Sequence, residues 1–142
     1  MNAEVLCIGT EILLGDIVNT NGAYLTRQLA TLGIDVYHQS VVGDNSQRLL
    51  DSLKLALSRA DIVITTGGLG PTYDDVTKKA VADYFGLNLE PHEPSVRKIE
   101  AFYQRRNVPM TPNNLLQAQV PAGATVFFNE AGFAPGFAVE QG

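Results

Sequence analysis

The segment Thr65-Thr66-Gly67-Gly68-Leu69-Gly70-Pro71-Thr72 carries the residue types that hold an anion. Glycines remove the side chains that keep a ligand off the backbone, and a following helix adds the positive end of its dipole. Thr65, Thr66 and Thr72 add hydroxyl donors. No Gly-Lys-Ser/Thr follows, so the loop is not of the Walker A type, and its glycine spacing is not that of a dinucleotide fold. Asp74 and Asp75 come directly after it. The spacing Thr72-x-x-Asp75 matches a capping box, which accounts for one carboxylate as a helix-start device. Two carboxylates beside a phosphate cradle repel the ligand unless a cation lies between them. Mg²⁺ typically takes one or two carboxylates plus phosphate oxygens. Glu11 and Asp44 follow two other apolar runs and complete a candidate metal set with Asp74 and Asp75.

The elements that must position these residues are legible as a strand and helix alternation. Val5-Leu6-Cys7-Ile8 reads as a buried strand ending at Gly9. Asn19-Thr20-Asn21 can cap a helix carrying Leu25, Leu29 and Leu32, with Gly33 past its end. Asp35 to Val42 reads as a second strand. Asp44-Asn45-Ser46 opens a helix whose apolar face is Leu49, Leu53, Leu57 and Ala60. Asp61 to Thr66 is a third strand, and a helix is expected from near Thr72, burying Val76, Ala80, Val81 and Tyr84 and stopping at Gly86. A further helix spans Ser95 to Arg106, with Val96, Ile99 and Tyr103 inward, and Pro109 and Pro112 break the chain after it. Thr125 to Phe128 and Phe137 to Val139 are β-rich, separated by a stretch too long for a two-residue hairpin turn. Such alternation predicts a mainly parallel sheet with helices on both faces, whose ligands bind outside the carboxyl ends of the strands. Gly9-Thr10-Glu11, Gly43-Asp44-Asn45 and the glycine segment would then meet at one edge.

Length and composition fit one domain. The chain has 142 residues, 45% of them hydrophobic and 18% charged, the profile of a packed globular protein. Its formal charge of −5 argues against a partner that is duplex nucleic acid, which needs a basic face. No apolar run approaches the ~20 residues of a membrane span, and the first residues lack a basic signal region. A cytoplasmic protein with no membrane partner is expected. The single cysteine, Cys7, excludes an internal disulfide and reads as a buried core thiol. His38 and His92 have no spaced metal-ligating partner. Lys78 and Lys79 are expected on the solvent face, Arg105 and Arg106 as surface charge suited to a helix C-terminus, and Tyr73 packed on its own domain.

The segment Thr65 to Thr77 resembles the signature of the competence/damage-inducible protein A (CinA) family. So does the opening Ile8-Gly9-Thr10-Glu11-Ile12-Leu13-Leu14-Gly15-Asp16-Ile17-Val18-Asn19-Thr20-Asn21. Val42-Gly43-Asp44-Asn45, Met110-Thr111-Pro112-Asn113-Asn114, and Asn129 with Gly132, Ala134, Pro135 and Gly136 also match, in order along nearly the whole chain. The resemblance implies an α/β/α sandwich of the molybdopterin-binding (MoaB/Mog) type, with residues 1–142 forming one domain. It implies a phosphorylated or nucleotide ligand and metal-dependent hydrolysis of a nucleotide diphosphate, ADP-ribose giving AMP and ribose 5-phosphate. Molybdopterin binding or adenylylation is the alternative, and a ligand-binding module without turnover a third. The family's pocket aspartates map onto Asp44 and Asp75, the expected catalytic pair, and its phosphate loop onto Gly67, Gly68 and Gly70. Ligand contacts are further expected from Gly9, Thr10, Glu11, Asn21, Thr66, Thr72, Asn129 and Gly136, and a divalent metal such as Mg²⁺ from Asp44, Asp74, Asp75 and Glu11.

Two departures stand out. Phe133 replaces a threonine usual in the family. The chain also stops at Gly142, before the family's closing strand and its second, deamidase domain, so deamidase activity is not expected. An uncovered sheet edge would suit a second copy of the chain, making a homo-oligomer the expectation.

Overall fold

The computed structural model describes residues 1–141. The chain divides into two compact units, one of residues 1–68 and one beginning at Leu69.

In the first unit, β1 (Asn2–Ile8), β2 (Asp35–Val42) and β3 (Ile62–Thr66) form a parallel sheet in the order β2-β1-β3. β1 is buried along nearly its whole length because it is the central strand. Helix α2 (Thr20–Thr31) connects β1 to β2, and α3 (Ser46–Arg59) connects β2 back across β1 to β3. Right-handed crossovers running in opposite directions put their helices on opposite faces. The side chains agree. Ala3, Val5 and Cys7 pack with Leu25 and Leu29 of α2, whereas Glu4, one residue out of phase, pairs with Arg59 of α3. The unit therefore has three layers, α/β/α, and Cys7 is a buried free thiol within it.

The local signals explain the boundaries. The side chain of Asn19 accepts a hydrogen bond from the Gly22 N–H and starts α2, and Gly33 follows its end in the left-handed region. The side chain of Asn45 accepts from the Arg48 N–H and starts α3. The buried face of α3 is Leu49, Leu53 and Ala56. The expected Ala60 lies past the last helical residue as an extended cap, so the inward stripe closes one turn earlier. A short helix α1 (Thr10–Leu13) follows β1 in place of the expected loop.

In the second unit, α4 (Thr77–Phe85) ends at Gly86, whose φ of 66° is left-handed. Val76, Ala80 and Val81 are buried as expected. The helix does not begin near Thr72. Thr72 to Asp75 instead closes a separate turn, and Val76 is the residue that caps α4. Helix α5 (Glu93–Arg106) starts with Pro94 in its first turn and buries Ser95 and Ile99. An unexpected helix, α6 (Pro112–Leu116), is opened by a Thr111/Asn114 capping box. Pro112 thus begins a helix as well as ending what precedes it. Two antiparallel ribbons complete the unit. β4 (Leu89–Pro91) pairs with β5 (Gln119–Pro121), and β6 (Thr125–Phe127) pairs with β7 (Gly136–Ala138). Among the described residues no helix is long and apolar enough to cross a membrane.

Candidate functional site

Strand register decides what the first unit brings together. Ile8 is level with Val42, and Cys7 is level with Thr66. The loops after β1, β2 and β3 therefore leave the sheet at one edge, the carboxyl edge. The crossovers diverge between β1 and β3, which makes the crevice outside those two strand ends the topological switch point where such sheets bind ligands.

At this point Gly67 and Gly68 turn the chain with φ of 97° and 67°. A Cβ on Gly67 would lie 2.1 Å from the Ile8 carbonyl oxygen, so only glycine allows the two strand ends to run this close. Asn21, from the start of α2, donates from Nδ2 to Thr66 Oγ1 (3.3 Å) and reaches the end of β3.

On the other side of β1, the Thr10 N–H donates to Asp44 Oδ2 (3.2 Å), and the Asp44 N–H donates to Thr10 Oγ1 (3.1 Å). The Glu11 carboxylate folds back over Gly9; its Oε1 would be 2.6 Å from a Cβ placed there. A cleft of about 600 Å³ opens beside this pair, with Leu13, Gly43, Asn45 and Arg48 among its lining residues. Arg48 was not foreseen. Its signal was its place three residues after the cap Asn45, in the first turn of α3, where the helix start aims it back toward the strand ends. The first unit thus collects Gly9, Thr10, Glu11, Asn21, Asp44, Thr66, Gly67 and Gly68 at one edge.

The second unit holds Gly70, Thr72, Asp74 and Asp75 in the turn before α4. Asp75 Oδ2 accepts from the Thr72 N–H (2.9 Å) and from its hydroxyl (2.7 Å). Desolvation pushes the Asp75 carboxyl up. The bonds from Thr72, the Gly70 N–H and the charge of Lys78 outweigh it, and the net effect holds Asp75 below the usual carboxylate range. The reciprocal half of the expected capping box is therefore present, but it closes a turn outside the helix.

Lys78, expected on the solvent face, is only 6% exposed. Its ammonium donates to the Leu116 carbonyl. Burial, opposed by Asp75, brings its pKa down to about 8. The overlooked signal was that Val81 and Ala82, three and four residues on and on the same helix face, are both apolar. Lys79 does face solvent, paired with Asp83 at 2.7 Å. Tyr73 is 86% exposed rather than packed on its own domain.

Asn129 and Gly136 lie in the β6–β7 ribbon. Asn129 Oδ1 accepts from the Ala131 and Gly132 N–H groups, and its Nδ2 donates to the Ala134 carbonyl. Gly136 pairs with Phe127 across the ribbon.

Among the described residues no group of three or more His, Cys, Asp or Glu side chains gathers to hold a metal ion. Of the expected set, Glu11 and Asp44 lie in the first unit and Asp74 and Asp75 in the second. Asp75 is committed to Thr72 and Asp44 to Thr10. Glu11 and Asp44 are on adjoining strand-end loops, after β1 and β2.

Residues 4–142 match the family described as "Probable molybdopterin binding domain". A crystal structure of the protein CinA from Thermoplasma acidophilum is 34% identical and superposes with a TM-score of 0.84, covering 96% of this chain and 79% of that one. The chain belongs to the CinA branch of the molybdopterin-binding domain family. A relative in Caldicellulosiruptor bescii, named "Putative competence-damage inducible protein", is 55% identical over 99% of this chain and 34% of its own length. A relative of the same name in Clostridioides difficile is 55% identical over 96% of this chain and 32% of its own. This CinA-type domain thus spans about a third of the length of the curated relatives it matches. The MoaB protein of Pyrococcus furiosus, titled a tungsten cofactor synthesizing protein, is 18% identical with a TM-score of 0.58, covering 96% of this chain and 79% of that one. That likeness concerns the fold.

Proposed function

We propose that this CinA-type domain binds a nucleotide diphosphate such as ADP-ribose at the carboxyl edge of its β2-β1-β3 sheet and hydrolyses the diphosphate linkage, giving AMP and ribose 5-phosphate. One observation carries the reading. Two consecutive left-handed glycines, Gly67 and Gly68, end β3 level with the end of β1, at the switch point of the sheet. A backbone bare of Cβ atoms lets an anion approach closely, and Arg48 lines the adjoining cleft. Thr10 and Thr66 contribute hydroxyls at the same edge.

A divalent ion arriving with the diphosphate would be held by Glu11 and Asp44. When bound, such an ion neutralises charge developing on the phosphoryl oxygens and acidifies a bound water. The protein's own part is to orient the linkage. In this reading Asp44, hydrogen-bonded to Thr10, would accept a proton from the attacking water. Asp75 is the second carboxylate proposed to take part.

The test is AMP release from ADP-ribose, with Mg²⁺ or Mn²⁺ and with chelator, in the wild type and in Asp44→Asn and Asp75→Asn. Metal-dependent release, reduced at least tenfold in Asp44→Asn, supports the reading. No release from a folded sample, or release unchanged in both variants, overturns it.

The family match over residues 4–142 favours a second reading, binding or adenylylation of molybdopterin by the same edge. Affinity for molybdopterin above that for ADP-ribose would select it. Ligand-dependent thermal stabilisation without product would select a module that binds and does not turn over.

A further inference from the structure

Lys98, in the middle of α5, lies 31 to 34 residues from the loop between β6 and β7, yet its ammonium is spent entirely on that loop. Nζ donates to the carbonyls of Asn129 (2.8 Å), Glu130 (2.9 Å) and Gly132 (2.7 Å). An ammonium has three donors and no acceptor, so these three carbonyls satisfy it completely. Two aromatic rings complete the surroundings, with the Phe128 centroid at 5.4 Å and the Phe133 centroid at 5.8 Å. Both are within the range at which a ring face attracts a cation. Phe133 is also fixed edge-on against Phe102 of α5 at 4.9 Å.

Three carbonyl dipoles converging on one point repel one another unless a positive charge sits between them. A ring of backbone carbonyls is the arrangement by which proteins replace the water shell of a monovalent cation. Here the cation is tethered. The Asn129 side chain then braces the same turn from inside, accepting from two backbone N–H groups and donating to the Ala134 carbonyl. The ammonium holds the carbonyls that point outward from this brace.

We propose that the turn Asn129–Gly132 is a built cation nest filled by the Lys98 ammonium, and that Lys98 is the positioning residue for the loop leading to Gly136. Its consequence for ligand affinity rests on the proposed function together with the ligand contacts that the family resemblance implies for Asn129 and Gly136. The nest itself does not depend on that reading. Lys98→Met keeps the apolar stem and removes the charge. Lys98→Ala opens room that propylammonium fills with both stem and head.

The experiment is amide hydrogen exchange of residues 129–136 in the wild type, Lys98→Met, Lys98→Gln and Lys98→Ala, with β1 amides as the internal reference. Exchange at Ala131 and Gly132 is expected to rise about tenfold or more in each variant, with β1 unchanged, as three charge-assisted bonds are lost from a local unit. Propylammonium should restore protection in Lys98→Ala, and tetramethylammonium, which has no N–H to donate, should not. The KM for ADP-ribose should rise in Lys98→Met with kcat retained. Unchanged loop exchange in Lys98→Met and Lys98→Gln overturns the proposal. So does equal rescue by both cations, or loosening of β1 in step with the loop. A loosened, rescuable loop in a protein whose wild type neither binds nor cleaves ADP-ribose upholds the nest and refutes the ligand reading alone.

Discussion

Thr10 and Asp44 exchange two hydrogen bonds, each backbone N–H donating to the other's side chain. Residues 34 positions apart in sequence are thereby locked where β1 and β2 leave the sheet. The two bonds tie both the carboxylate and the backbone of Asp44 to the first residue of α1.

Separating the structural from the chemical role of this pair is straightforward. Thr10→Ala removes one exposed bond and should cost about 1 kcal/mol of stability. Asp44→Asn retains an oxygen to accept from the Thr10 N–H, so its stability should stay within about 0.5 kcal/mol of the wild type. In the proposed hydrolysis, turnover should nevertheless fall at least tenfold. Urea denaturation paired with the AMP-release assay reads both. A loss of activity in Asp44→Asn that merely tracks unfolding would assign the residue to structure.

Gly67 and Gly86 share a left-handed backbone and differ in their surroundings. An added Cβ at Gly86 meets nothing within 4 Å, while at Gly67 it meets the Ile8 carbonyl oxygen at 2.1 Å. Gly86→Ala should therefore cost only the conformational penalty, about 1 kcal/mol. Gly67→Ala adds a backbone collision that no side-chain rotation relieves, and should cost ~3 kcal/mol or more. Thermal unfolding of the two variants side by side checks the order. Equal losses would mean that the β1 and β3 ends spread apart freely.

The contrast between those glycines marks how far a sequence can be read. Gly33 and Gly86 act locally, and each was recognisable as a helix stop from the apolar spacing before it. The strands β1, β2 and β3 were equally plain, because β-branched or apolar runs end at glycines or threonines. Their carboxyl edge followed from parallel topology. The strands β6 and β7 were visible as β-rich runs, whereas the β4–β5 ribbon was harder, since three-residue strands leave no periodicity to detect and Pro91 and Pro121 within them argue against strands. The α4 start was misread because Thr72-x-x-Asp75 has the same spacing whether or not a helix follows. Lys98 gave no local signal at all. Its partners are set by the tertiary placement of a loop over 30 residues away, and a lysine on a helix ordinarily reads as a solvated charge.

Glu4 is 2% exposed on the central strand and is held by a two-pronged contact with Arg59 and by the Ser40 hydroxyl. The hydrogen bonds from Arg59 outweigh desolvation, and its carboxyl titrates below the ordinary range. A lowered folded-state value means that the folded protein binds the proton less readily than the unfolded chain. The associated stability is fully present above the unfolded glutamate value of about 4.3 and is lost as pH falls through the folded one. Glu4→Gln should flatten this acid limb while lowering stability at neutral pH. Denaturant midpoints between pH 3 and pH 6 should show wild type and variant converging toward low pH; parallel curves would show that Glu4 is not the titrating group.

Lys78 should act with the same sign in an alkaline window. Its folded value of about 8 lies below the ordinary lysine value of about 10.4, because burial disfavours the ammonium more than Asp75 favours it. Between those values the unfolded chain binds more protons than the folded one, so stability contributed by this site rises as pH climbs from about 8 toward 10. Lys78→Met removes the titration and leaves the Leu116 carbonyl without its ammonium donor. The difference in stability between wild type and Lys78→Met should therefore shift in favour of the wild type as pH rises through this window. Subtracting the variant's curve cancels the tyrosines and the other lysines, which titrate in both proteins. A difference that stays flat from pH 7 to 10 would show that Lys78 keeps its charge in the folded state, and that the Leu116 carbonyl and Asp75 together compensate its burial in full.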